Sequence, residues 1–127
     1  MTSTEVHQPL GRPTLHTWLE PATWVGALKE FTVRNVGRHA RLEVDDPALG
    51  APVQQRGDTV LGAAYDPLTR RVEITLAEAP GGGLRHHVRS IAGVTSVDLL
   101  TGSSGRDLML RIAHAHGRGQ TLLTLLN

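Results

Sequence analysis

The chain has 127 residues, a formal charge of +1 at pH 7 and no cysteine. That length suits one domain, able to bury about two-thirds of its unfolded surface without a staple. The missing cysteine excludes disulfides, thiolate metal sites and a cysteine nucleophile, and the near-neutral balance excludes a polyanion binder that works through overall charge.

Residues 1–16 are polar, contain two prolines and show no period, which predicts a flexible N-terminal arm ahead of a single domain over 17–127. Pro21 to Val36 reads as the one helix. Pro21 suits a first turn, where its missing N–H costs nothing. Trp24, Leu28 and Phe31 fall on one stripe with Asn35, while Lys29, Glu30 and Arg34 face water. Gly37 follows the last turn as a helix stop. The period then changes to two. Ala40, Leu42 and Val44 alternate with Arg41, Glu43 and Asp45 in a half-buried strand. Asp46-Pro47 ends it, and a loop rich in Gly, Pro and Gln runs to Gly57. Asp58 to Tyr65 is the second strand, narrowed by Gly62, Ala63 and Ala64, which suits close packing against the helix or another backbone.

Asp66-Pro67-Leu68-Thr69 is a strong turn signal. It leads into Arg71 to Ala77, where Val72, Ile74 and Leu76 alternate with polar residues. Ala79 to Gly83 is a Gly-rich break. Leu84 to Ser90 is a fourth strand, with Arg85, His87 and Arg89 on one face and Leu84, His86 and Val88 on the other. Val94 to Leu100 is a fifth. Asp107 to Ala115 and Gln120 to Leu126 form a last hairpin through His116-Gly117-Arg118-Gly119. The run TLLTLL is apolar on both faces, as a central or interface strand would be. The expected fold is α+β and mostly β: one N-terminal helix packed on a small antiparallel barrel or sandwich of about seven short strands. No apolar run approaches the ~20 residues of a membrane span, and MTSTEVHQPLGRPT lacks the basic-then-apolar pattern of a leader. A cytoplasmic protein with no membrane partner is expected.

From Glu20 to Leu126 the chain resembles a family of small stand-alone bacterial proteins of unknown function. The matching features are Pro21-Ala22-Thr23-Trp24, Arg41-Leu42-Glu43-Val44, Leu61-Gly62-Ala63-Ala64-Tyr65-Asp66, Val72-Glu73-Ile74, Leu84-Arg85-His86-His87-Val88 and Gly119-Gln120-Thr121-Leu122-Leu123. The resemblance implies a fold and a bacterial source, and brings no activity. Over Trp24 to Leu100 the order of elements is similar to Sm-like RNA-binding proteins: a helix, then a hairpin carrying Leu61-Gly62, Tyr65-Asp66-Pro67 and Val72-Glu73-Ile74, then Val88 to Val94. That likeness implies a nucleotide pocket lined by an Asp-containing turn, here Asp66, and by an Arg-Gly pair. The pair is broken here, because Arg89 is followed by Ser90, and the hairpin after Leu100 is foreign to a minimal Sm fold.

Three constellations are candidates for function. Residues 80–127 carry five basic and two acidic side chains, with four of the seven histidines. Arg85, His87 and Arg89 on one strand face, joined by Arg111 and Arg118, would grip phosphates of a nucleic acid or another anion. His114 and His116, two apart, share a strand face and would chelate a metal if His86, His87 or Asp107 arrived from elsewhere. Leu123 and Leu125 offer an apolar C-terminal strand for self-association through an open edge. No serine lies in a nucleophile elbow. Gly81-Gly82-Gly83 lacks the lysine and the following helix of a phosphate loop. Asp45-Asp46 and Glu78 read as solvated turn carboxylates. Only Tyr65 of the four aromatics falls in an expected strand, so base stacking on a sheet is not foreseen. The sum predicts a non-enzymatic binding or self-association module without a cofactor, working as a homo-oligomer or with a protein partner. An Arg/His nucleic-acid surface and a histidine metal site are the alternatives.

Overall fold

A computed structural model describes residues 14–47, 53–78 and 85–126, with the backbone alone over 53–57. In chain order these residues form β1 (Thr14–Trp18), a short 3-10 turn (Pro21–Thr23), α1 (Trp24–Asn35), β2 (His39–Asp45) and β3 (Val53–Asp66). They continue with β4 (Arg71–Ala77), β5 (His86–Ile91), β6 (Ser96–Gly102), β7 (Asp107–His114) and β8 (Gly119–Leu125). The strands make one antiparallel sheet in the order β1-β6-β7-β8-β2-β3-β4-β5. The expected barrel or sandwich of about seven strands is therefore corrected to an open sheet of eight, ending at β1 and β5. The added strand is Thr14–Trp18, whose five residues are all exposed. With no buried face it has no apolar alternation for a sequence reading to detect. Residues 1–13 of the expected arm lie outside the described residues.

The helix forms where its stripe predicts. Trp24, Leu28, Phe31 and Asn35 are its buried residues. Pro21 opens the 3-10 turn ahead of it, and the Trp24 indole donates to Leu19 O at 3.0 Å. Gly37, at φ 92°, turns the chain out of the helix, and its N–H donates to Val60 O. The helix lies close on β3. A Cβ at Gly62 would stand 3.0 Å from Thr32 Cγ2. The Thr32 hydroxyl accepts from Ala63 N–H at 2.9 Å. The ladder from β3 to β4 shifts by one residue between Val60 and Gly62, which brings this narrow segment under the helix. Trp24 and Tyr65 meet edge to face, centroids 5.0 Å apart.

Inward-facing residues of all strands from β2 to β8 meet the helix in one core, among them Val60, Ile74, Leu76, Leu110, Ile112 and Leu123. β2, β4 and β8 bury alternate positions, as β4 does with Val72, Ile74 and Leu76. A polar clamp closes one end. Asp107, buried at the start of β7, accepts from Asn35 Nδ2 at 2.6 Å and Arg34 Nε at 2.8 Å. Arg38 donates to Asp107 O and Asn35 Oδ1. Desolvation, then the nearby Arg106 charge, lower the Arg38 pKa from its ordinary value, against the opposing pull of Asp107. The sheet also curls. Arg89, Ser90 and Ile91 of β5, the last strand, share a cavity with His114 of β7 and Thr121 of β8. Among the described residues no helix is long and apolar enough to cross a membrane.

Candidate anion-binding groove

The groove follows from the curl and from the register of β5. His87, Arg89 and Ile91 stand opposite Leu76, Ile74 and Val72 of β4. Directly paired residues share a face of the sheet, so these three side chains point to the inner, core-facing side. Ile91 joins the core. His87 and Arg89 lie nearer the open side and are half-buried. The face read from the sequence as an anion-gripping Arg/His stripe is thus the concave face. The convex face of β5 carries His86, Val88 and Ser90 instead, all exposed.

Two cavities, each about 180 Å³, meet along this strand and share Val44 and Arg89. The first has an apolar floor of Leu42, Val44, Ile74 and Leu76, with His87 and Arg89 above it. The second is polar and adds Asp46, His114 and Thr121. His114 is held from both sides. Its Nδ1 lies 3.6 Å from Asp46 Oδ2 and its Nε2 lies 3.1 Å from Thr121 Oγ1. The ring rests over Gly119, where a Cβ would come within 2.9 Å of His114 Cε1 and 3.2 Å of Asp45 O. Carboxylate, imidazole and hydroxyl in that order have the connectivity of a nucleophilic triad. Thr121, however, has 0% exposure, so no substrate carbonyl can reach its hydroxyl. The line fixes the wall of the cavity.

The polar groups of the groove are unevenly matched. His87 Nε2 sits 2.9 Å from Glu78 Oε2, and His114 has Asp46. Arg89 has no hydrogen-bond or ion-pair partner among the described residues. Arg89 lines both cavities, the one with the apolar floor and the one with the His114 wall. A half-buried guanidinium without a partner among the described residues is suited to a bidentate anion.

The other sequence candidates are dispersed. Arg85 is exposed just before β5. Arg111 lies on the opposite side of the sheet, donating to Asp98 Oδ2 and Gln120 Oε1, both at 2.9 Å. Arg118 is exposed in the turn between β7 and β8. A single phosphate-gripping stripe of Arg85, His87, Arg89, Arg111 and Arg118 is therefore not assembled in this chain. His116, exposed at φ 57° in that same turn, has left the strand that holds His114. His86 projects from the convex face of β5, and Asp107 belongs to the helix clamp. Among the described residues no three histidines or carboxylates group as a metal site would. Leu123 and Leu125 are buried, and their strand is hydrogen-bonded to β7 and to β2. β8 is the central strand its apolar pattern allowed, and among the described residues the sheet ends at β1 and β5. Asp66 caps its own turn by accepting from Leu68 N–H at 2.9 Å.

Sequence reasoning missed Asp46 and Thr121 as partners of His114. In the sequence Asp46 reads as a solvated turn residue and Thr121 as part of an apolar strand. The detectable signal is Gly119, a buried glycine in β8 just past the turn, whose absent side chain makes room for the ring. The chain matches no family model, no curated protein and no solved structure.

Proposed function

We propose that the chain is a non-enzymatic binding module that takes a small anionic group, phosphate or carboxylate, in the groove beside β5. The observation that carries this reading is Arg89, half-buried where the two cavities join and without a partner among the described residues. The neighbouring apolar floor of Leu42, Val44, Ile74 and Leu76 suits a ligand with a compact apolar body attached to its anionic end. The adjoining cavities together fall near the lower limit of sites for small molecules, about 300 Å³. The wall formed by Asp46, His114 and Thr121 gives the second cavity a fixed shape, which favours recognition over chemistry.

Titration of the labelled protein with butyrate and with phenyl phosphate, followed by amide NMR, tests the proposal. Resonances of Arg89, Ser90 and Thr121 should move and saturate with at least one of the two probes. Arg89→Ala should abolish the response, while Arg118→Ala should leave it unchanged. The apparent affinity should fall with salt as for about one ionic contact, far less steeply than for the 6–10 phosphates of a nucleic-acid complex. No shift in the groove with either probe, or a response that survives Arg89→Ala, would sink the reading. A steep salt dependence with an oligonucleotide would favour the nucleic-acid alternative.

A further inference from the structure

We infer that a second copy of this chain pairs with β1, an edge strand of the sheet among the described residues, about a two-fold axis through His16. The starting point is the direction of the backbone groups. Leu19 N–H donates to Val97 O, and the register of β1 with β6 is unbroken from Thr14↔Gly102 to Trp18↔Asp98. Antiparallel ladders alternate, with every second residue turned towards the partner. Leu15 and Thr17 therefore turn their N–H and C=O groups to β6. Thr14, His16 and Trp18 turn theirs to the open side of the sheet.

Those three residues are spaced symmetrically. Antiparallel pairing with an identical strand sets His16 opposite His16 and Thr14 opposite Trp18, so each outward N–H and C=O meets its counterpart. β1 contains no carboxylate and no lysine, and His16 is its single titratable residue. Each His16 Nε2 is 3.3 Å from Asp98 Oδ2 of its own chain, so each facing ring has a carboxylate beside it. Leu15 is 63% and Trp18 55% exposed, on opposite faces of the strand. A paired strand would cover apolar surface on both.

The contrast with β5 selects the edge. Soluble proteins guard sheet edges with charges turned inward, with proline or with a covering element. β5 has such a guard, because His87 and Arg89 point to the concave face beside its edge. Within β1 there is no proline and no inward charge. Its inward positions are Leu15 and Thr17.

The test uses the full chain. Sedimentation from micromolar to millimolar concentration should show the mass rising towards twice the 13.7 kDa of one chain. Amide exchange at His16 and Trp18 should slow by about tenfold or more over the same range, while Leu15 and Thr17 stay protected throughout. His16→Pro removes an N–H that faces the open edge, a position where a strand tolerates proline, and should give a monomer. His16→Ala removes the same side chain but keeps the N–H, and should still dimerise. A monomer at every concentration would overturn the inference. So would a dimer that survives His16→Pro, or slow exchange at His16 and Trp18 that does not depend on concentration. If His16→Pro fails to fold, the exchange measurement on the unaltered chain decides alone.

Discussion

Gly119 supplies room. Any side chain there meets His114 and the carbonyl of Asp45 at less than ordinary contact distance. The imidazole cannot back away freely, because Thr121 Oγ1 is hydrogen-bonded to its Nε2 and Asp46 lies 3.6 Å from its Nδ1. Gly119→Ala should therefore displace the ring and leave Thr121 Oγ1, fully buried, without its partner. The expected loss is about 1–3 kcal/mol, the usual cost of a stranded buried polar group. Urea denaturation would measure it, and the His114 ring signals should shift in the folded variant. An unchanged midpoint would mean that the ring is not confined. Thr32 has a similar role on the other side of the core, where its hydroxyl meets Ala63 N–H beneath the helix. Thr32→Val keeps the shape and strands that N–H, for a loss of about 1–3 kcal/mol in the same assay.

Between elements, the helix is held by one apolar stripe and one polar knot. The stripe was legible because Trp24, Leu28 and Phe31 recur at helical spacing. The knot was not, because Asp107 is 72 residues from Asn35 and nothing local marks the pair. Asp107→Ala should cost about 2 kcal/mol. The Arg34 contact contributes less to that figure, since the Arg34 side chain is 44% exposed, whereas the Asn35 amide is buried and loses its acceptor. Asp107→Asn should recover part of the loss by restoring one acceptor. Equal midpoints for Asp107→Ala and the unaltered chain would show that the knot is dispensable. Strand boundaries show the same division. β4 is read correctly because Val72, Ile74 and Leu76 alternate over a buried face. β1 leaves no pattern, because all of its residues face solvent.

Across the molecule, curvature decides what the candidate residues do, and curvature has no sequence signature. Alternation correctly placed His87 and Arg89 on one side of their strand. It could not say that this side is concave, because that depends on β5 ending a curled sheet eight strands wide. The same limit applies to Leu123 and Leu125. Their apolar run fits a free edge or a sheet centre equally well, and pairing with both β7 and β2 settles it as the centre. The consequence is testable. On a free edge, replacing both leucines with lysine would separate two chains and leave each folded. At the centre, the change removes two core side chains, each worth about 1.5–3 kcal/mol when buried. It also forces two ammonium groups into an apolar interior where no described carboxylate awaits them. That total rivals the whole stability of a small domain, about 5–15 kcal/mol. Leu123→Lys with Leu125→Lys should therefore abolish the cooperative thermal transition and the helical circular dichroism signal together. A folded monomer in that variant would place β8 at an interface and contradict the strand order.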